Sequence, residues 1–351
     1  MNRRELYRPL TERTLENYQV QYLARRYDFT KESLVAHLLV SKINARMEEA
    51  EAQLGIERVK PFELYIRKGR KALRLPLFRP EYLEPLLAGA DFSGSRKLVR
   101  QTCLEHYQEV FPQACELDVL SVIDPWALVR RKGPSRYEDQ IRTSLGPYDD
   151  NDTRAWRKEI NNIQPVPPSG RFNTLDFSAP ARVVKELTDF VVTEAGLGRV
   201  TARQLVEDVI VLRNLACPRT RELRSGEMPV LATHVHAHLS DEVATRFRRH
   251  APVVLTVWTP EELESWPKQV PQYLDLLKKR IIRVCFEAYR QNGLLTLMDM
   301  QWIFQLSSAR ISELIRSFQK EHHVIVPTPG TVLDAGKSMT HKDIIVNLYL
   351  Q

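Results

Sequence analysis

The chain has 351 residues, 43% hydrophobic and 27% charged, a globular composition with room for two or three ordinary domains, which excludes a disordered or fibrous chain. Its 51 basic and 44 acidic residues leave a net charge of +7, a moderate excess suited to an anionic partner. The opening MNRRELYRPLTERTLENY has no apolar signal segment and no run of ~18 apolar residues occurs, so a cytoplasmic protein without a membrane partner is expected.

Residues 1–145 read as an N-terminal α+β module. Leu34, Val35, Leu38, Leu39 and Ile43 recur at helical spacing, with Thr30 placed to cap the helix. Phe62, Leu64 and Ile66 alternate with Glu63, Tyr65 and Arg67, the period of a half-buried strand. Residues 146–182 carry prolines at 147, 165, 167, 168 and 180, so a linker or extended arm is expected there, with the domain boundary in it. Residues 183–270 read as a second α+β module that repeats the first. TKESLVAHLLV (Thr30–Val40) lines up with TARQLVEDVIV (Thr201–Val211), LRLPLFRPEYLE (Leu73–Glu84) with VVLTVWTPEELE (Val253–Glu264), and CLEHY (Cys103–Tyr107) with CFEAY (Cys285–Tyr289). The expected fold class is therefore α+β, two related helix–strand–helix modules, the second ending in a winged helix-turn-helix.

That last unit occupies 271–351. Leu274, Leu277, Ile281, Ile282, Val284, Cys285 and Tyr289 mark an amphipathic helix that ends at Asn292-Gly293, where glycine suits a left-handed cap. A short helix, Leu297–Phe304, turns Met300, Ile303 and Phe304 inward, and Gln305-Leu306-Ser307 forms a tight turn. The next helix buries Ile311, Leu314, Ile315 and Phe318 and presents Ser308, Arg310, Ser312, Arg316, Gln319 and Lys320. Val324–Val332 reads as strand, Pro-Gly turn, strand, a small wing. A helix presented in this way suits the major groove of double-stranded DNA, because Arg and Lys neutralise phosphates while Arg, Gln and Ser can read base edges. Thr328 on the wing and Lys342 beyond it complete the candidate DNA-binding set. The segment holds 10 Lys/Arg against 7 Asp/Glu, so its charge alone does not decide between DNA and a protein-docking face. A second copy of the chain is a further candidate partner. Thr340-x-x-Asp343 opens another helix that reaches Gln351 without a cap, the pattern of a chain that continues.

The stretch from Gly293 to Leu350 resembles the C-terminal part of an uncharacterised prokaryotic family, domain-of-unknown-function family 1670. Pro327, Gly330, Asp334, Gly336, Thr340, His341 and Lys342 carry the likeness, which extends back to about Thr201. The resemblance implies a helix-turn-helix, association with DNA and a further helical unit downstream; it supplies no catalytic residue.

Other signals are weaker. His234, His236 and His238 share one strand face and are the candidate metal ligands, but such neighbours sit ~6–7 Å apart, wide for one ion, so no metal is expected. RKGRK (Arg67–Lys71) and RRKGPSR (Arg130–Arg136) are basic turns or a phosphate-binding arm; FRRH (Phe247–His250) and KKR (Lys278–Arg280) read as ordinary surface. The cysteines, Cys103, Cys115, Cys217 and Cys285, are expected as buried free thiols. No phosphate loop, G-x-S-x-G, H-E-x-x-H or Rossmann fingerprint occurs, so no cofactor and no enzyme are expected. The alternatives are a metal-dependent DNA-processing enzyme, if Asp118, Asp124, Asp208 and Glu227 converge, and a protein-interaction scaffold. The leading expectation is a DNA-binding protein of transcriptional regulation or mobile-element control.

Overall fold

The computed structural model describes residues 10, 13–27, 33–124, 180–235, 250–264 and 270–332. Among them, no helix is long and apolar enough to cross a membrane. The first half runs α1 (Leu15–Tyr27), α2 (Ser33–Gln53), β1 (Glu63–Lys68), β2 (Lys71–Pro76), a 3-10 turn (Pro80–Leu83) into α3 (Glu84–Leu87), α4 (Phe92–Val110) and α5 (Glu116–Ile123). The second runs α6 (Ala181–Ala195), α7 (Arg199–Ala216), β3 (Glu227–His234), β4 (His250–Thr256), α8 (Pro260–Glu264), α9 (Val270–Arg290), β5 (Gly293–Leu294), α10 (Leu297–Phe304), α11 (Ser308–His322) and α12 (Pro329–Val332). The fold is thus mixed helix and strand. Both halves follow one order: helix pair, antiparallel hairpin, short helix with a proline start, long helix.

Local chemistry sets these boundaries. Asp91 caps α4 by accepting from the Ser93 N–H at 2.9 Å. Gly196 ends α6 at φ 64°, a conformation a Cβ penalises. Pro80 and Pro260 each stand in a first helical turn, where a missing N–H costs nothing.

The two halves share their cores. Leu39, Ile43 and Met47 of α2 pack with Leu187 and Val191 of α6 and with Leu205 and Val209 of α7 in one cluster. A second cluster joins β1, β2 and α4 to β3, β4, α9, α10 and α11. Trp302 of α10 lies at its centre, with ring centroids 5.1 Å from Phe78 and 5.0 Å from Phe92, both edge-on. Residues 146–179, which make up nearly all of the expected linker and boundary, lie outside the described residues.

Several helical expectations shift. On α2 the buried stripe is Ala36, Leu39, Val40, Ile43, Met47 and Ala50, while Leu34 and Leu38 are 83% and 53% exposed. The apolar run was wide enough for two faces, and α1, α6 and α7 cover only one. At the end of α9 the left-handed residue is Asn292 (φ 61°), not Gly293. Gly293 instead starts β5, where a Cβ would stand 2.7 Å from Val253 Cγ1 and 2.8 Å from Ala232 Cβ.

In the three-stranded sheet, ordered β4-β3-β5, β4 is an edge strand, and α9 closes that edge with side chains. The Thr256 N–H donates to Glu287 at 2.6 Å and its carbonyl accepts from Arg283 Nε at 3.0 Å. Gln291 takes the Val254 N–H at 2.9 Å and donates to the Val254 carbonyl at 2.8 Å. Arg280 donates to the Val257 carbonyl at 2.7 Å with its guanidinium 3.3 Å from the Trp258 ring centroid. These bonds answer the backbone groups that an edge otherwise offers to another strand.

Candidate nucleic-acid interface

The helices α10 and α11 and the tight turn between them are built on capping chemistry. Thr296 caps α10: its hydroxyl accepts from the Asp299 N–H at 3.2 Å, and Asp299 accepts from the Thr296 N–H at 2.7 Å, closing a box. Asp299 is fully buried and paired with Arg13, which also donates to Thr233 Oγ1 at 2.9 Å. A residue near the start of the chain thereby fastens the first helix of the pair to β3. Gln305 turns the chain at φ 52°, its amide donating to the Trp302 carbonyl at 2.6 Å and its own carbonyl accepting from Arg96 at 3.3 Å. Ser307 then caps α11 by accepting from the Arg310 N–H at 3.3 Å.

On α11, Ile311, Leu314, Ile315 and Phe318 are buried, as their spacing predicts, and Met300, Ile303 and Phe304 are buried on α10. The helix is pinned to α9 by Lys278, 2.9 Å from Glu321. Its opposite side presents Arg316 and Lys320 exposed, with Ser308, Arg310, Ser312 and Gln319 partly exposed. Arg310 holds Glu313 at 2.5 Å, a surface pair worth ~0.2–1 kcal/mol and readily exchanged for a stronger anion. Neither Arg316 nor Lys320 forms an ion pair among the described residues.

The wing expected over Val324–Val332 is absent. Ile325 is 71% exposed while Val326 and Pro327 are both buried, so burial does not alternate, and among the described residues no strand pairs with the segment. Pro327 and Pro329 remove two donors. Thr331 Oγ1 accepts the Thr328 N–H at 2.8 Å and donates to the Val326 carbonyl at 2.8 Å, so the Pro-Gly segment closes into the helical turn α12. Thr328 is spent on this turn rather than standing free on a hairpin. Lys342 lies outside the described residues.

His234 ends β3, opposite Gly293, while His236 and His238 lie outside the described residues. No group of three or more His, Cys, Asp or Glu able to hold a metal occurs among the described residues. The four acids considered for a nuclease centre are each occupied locally: Asp118 accepts from the Cys115 N–H, Asp124 pairs with Arg100, Asp208 with Arg26, and Glu227 accepts from the Arg224 N–H. KKR is not ordinary surface, since Lys278 and Arg280 are 5% and 3% exposed; burial lowers the Arg280 guanidinium to about 9. Of the other basic runs, RRKGPSR and Phe247–Arg249 lie outside the described residues, and Arg67–Lys71 forms the exposed tip of the β1–β2 hairpin. The anchoring residue missed in the sequence is Arg13; Thr296-x-x-Asp299 was the legible half of its site.

The architecture is that of a mixed helix and strand chain whose last described elements form a helix, a tight turn and a partly basic helix. Residues 189–351, from within α6 onward, match the model of a family described as "Protein of unknown function (DUF1670)", the family that the C-terminal motifs resemble. Comparison with curated proteins and with solved structures gives no match.

Proposed function

We propose that the chain is a double-stranded DNA-binding protein of transcriptional regulation or mobile-element control, made of two related modules, in which α11 is the recognition helix of a helix-turn-helix. The observation that carries the reading is the division of α11: one face wholly committed to the core and the other offering Arg310, Arg316, Gln319, Lys320 and two serines beside a tight capped turn. The same order of elements in both halves supports the two-module part. Since Arg316 and Lys320 need release no partner, they carry most of the expected affinity. Replacing both with Ala weakens DNA binding at least ~10-fold, each base or phosphate contact being worth roughly 1–3 kcal/mol. A mobility-shift titration of wild type and variant, with melting temperatures as a fold control, checks this. Equal affinity in an equally stable variant overturns the assignment of α11, and partner binding indifferent to salt favours a protein scaffold instead.

A further inference from the structure

The sequence RKGRK places four cations in five residues, and Arg67 through Lys71 are all exposed. The β1–β2 ladder sets Lys68 directly opposite Lys71, a like-charge pair that works against the hairpin. Gly69 makes the two-residue connection possible at φ 61°, and a Cβ there meets nothing within 4 Å. The two lysines are tied down. Lys68 donates to the Tyr107 hydroxyl with its ammonium 5.0 Å from that ring's centroid, and also favours the ionised form of Asp118. Lys71 donates to the Val110 carbonyl at 2.9 Å and lies 5.0 Å from the Phe111 ring centroid. Arg67 and Arg70 are left to project: Arg67 Nε reaches only the Gly69 carbonyl, at 3.3 Å, and neither forms an ion pair among the described residues. Arg224, exposed, adjoins them through Ser225, whose hydroxyl accepts the Arg67 N–H at 2.9 Å. The charges of Arg67 and Arg70 meet no opposite charge among the described residues, whereas an anionic partner supplies one.

The tip has a defined place relative to the helix–turn–helix. Along one face of α4, Phe92 meets Trp302, Arg96 reaches the Gln305 carbonyl, Cys103 Sγ lies 3.5 Å from the Pro76 carbonyl, and Tyr107 holds Lys68. The turn before α11 and the hairpin tip therefore stand at opposite ends of the same helix face. From Arg96 to Val110, at about 1.5 Å per residue, they are about 21 Å apart. That is the rise of about six base pairs of duplex.

We propose that the β1–β2 hairpin tip, through Arg67 and Arg70, grips the phosphate backbone of the DNA duplex that α11 contacts, about 21 Å along α4 from the turn that opens α11, supplying from the first half of the chain the wing that Val324–Val332 does not form. The proposal rests on the DNA reading of α11, and the two are separable by experiment. Binding of the full chain is measured by mobility shift over a range of salt for wild type, R67Q/R70Q and R316A/K320A. The hairpin variant is expected to lose affinity to a similar extent on every sequence, and its slope of log K against log[salt] to fall by about 2, one for each phosphate contact removed. R70Q alone, at a side chain with no hydrogen bond or ion pair among the described residues, is expected to lower the slope by about 1 at an unchanged melting temperature. An unchanged slope in both hairpin variants, with weakened binding in R316A/K320A, overturns the hairpin and leaves α11 standing. The reverse pattern overturns α11 alone, and no DNA binding by the wild type overturns both. Hairpin-dependent binding to phosphatidylserine vesicles with an unaltered DNA slope assigns the tip to lipid headgroups and likewise overturns the proposal.

Discussion

The long helices that close the two halves, α4 and α9, hold their hairpins by different means. Alignment of CLEHY with CFEAY sets Cys103 against Cys285, both fully buried. In that register Leu98, Gln101, Glu105 and Glu109 of α4 match Arg280, Arg283 and Glu287 of α9 and Gln291 just after it. On the α9 side the four side chains bind the backbone of β4 or the residue after it; on α4 all four face solvent. β2 is blunted more cheaply, by Pro76, which has no N–H, and by the exposed charge of Arg74. One order of elements thus gives one hairpin whose edge is closed by side chains of the following helix and one whose edge is not.

The sharpest break of this comparison lies where the hairpins meet. The Gly226 N–H donates to the Tyr65 carbonyl at 2.7 Å, and the Gly226 carbonyl accepts from the Trp258 N–H at 3.1 Å. At its φ of 90° an added Cβ would stand 2.1 Å from the Trp258 carbonyl oxygen, in backbone that cannot yield. Gly226→Ala is expected to cost about 4 kcal/mol, from strain and overpacking together, whereas Gly69→Ala at the open tip costs about 1 kcal/mol. Urea denaturation reads both, and equal losses would show that the two hairpins are equally constrained.

The clamp on β4 gives an intermediate effect. Glu287→Ala strips the Thr256 N–H of its acceptor and is expected to cost about 2 kcal/mol, against less than ~0.5 for Glu105→Ala at the matching position. Burial raises the Glu287 carboxyl above its ordinary value, with the Thr256 N–H opposing. A carboxyl raised in this way binds its proton more tightly folded than unfolded. The wild type therefore loses stability as pH rises from 4.5 toward the raised folded value, and Glu287→Gln, which keeps an acceptor, flattens that slope. Thermal melts of both across that range check the sign.

How much of this was legible follows from what each feature depends on. The buried faces of α10 and α11 and the turn at Gln305-Leu306-Ser307 are local patterns, written within one or two turns of helix, and they stand where the sequence puts them. The wing failed because a strand-like run forms a strand only when a partner exists, and two prolines with Thr331 close that chain on itself. On α2 the leucine-rich run allowed two faces, and only packing against α1, α6 and α7 chose between them. Arg13 and Asp299 are 286 residues apart, so no local signal joins them. Arg280 reads as one more surface cation until Trp258 lies beneath it.

The smallest expected effect tests the shared part of the comparison rather than its difference. Cys103 and Cys285 occupy matching positions on α4 and α9, and both are fully buried, as Cys217 nearly is. Burial pushes the Cys217 and Cys285 thiols up to about 12 and Cys103 higher still, so each is protonated at neutral pH and shielded from reagent. Cys115, expected from the sequence to be buried, is exposed at the start of α5, where its N–H donates to the Asp118 carboxylate at 2.9 Å. Because the thiolate is the nucleophile, a disulfide reagent at pH 8 should modify Cys115 rapidly and the other three only as the fold opens. Serine at position 115 should remove the fast phase without moving the melting temperature. If Cys103 instead reacts as fast as Cys115 while Cys285 stays protected, α4 does not seal β2 as α9 seals β4, and the likeness of the two halves ends at the order of their elements.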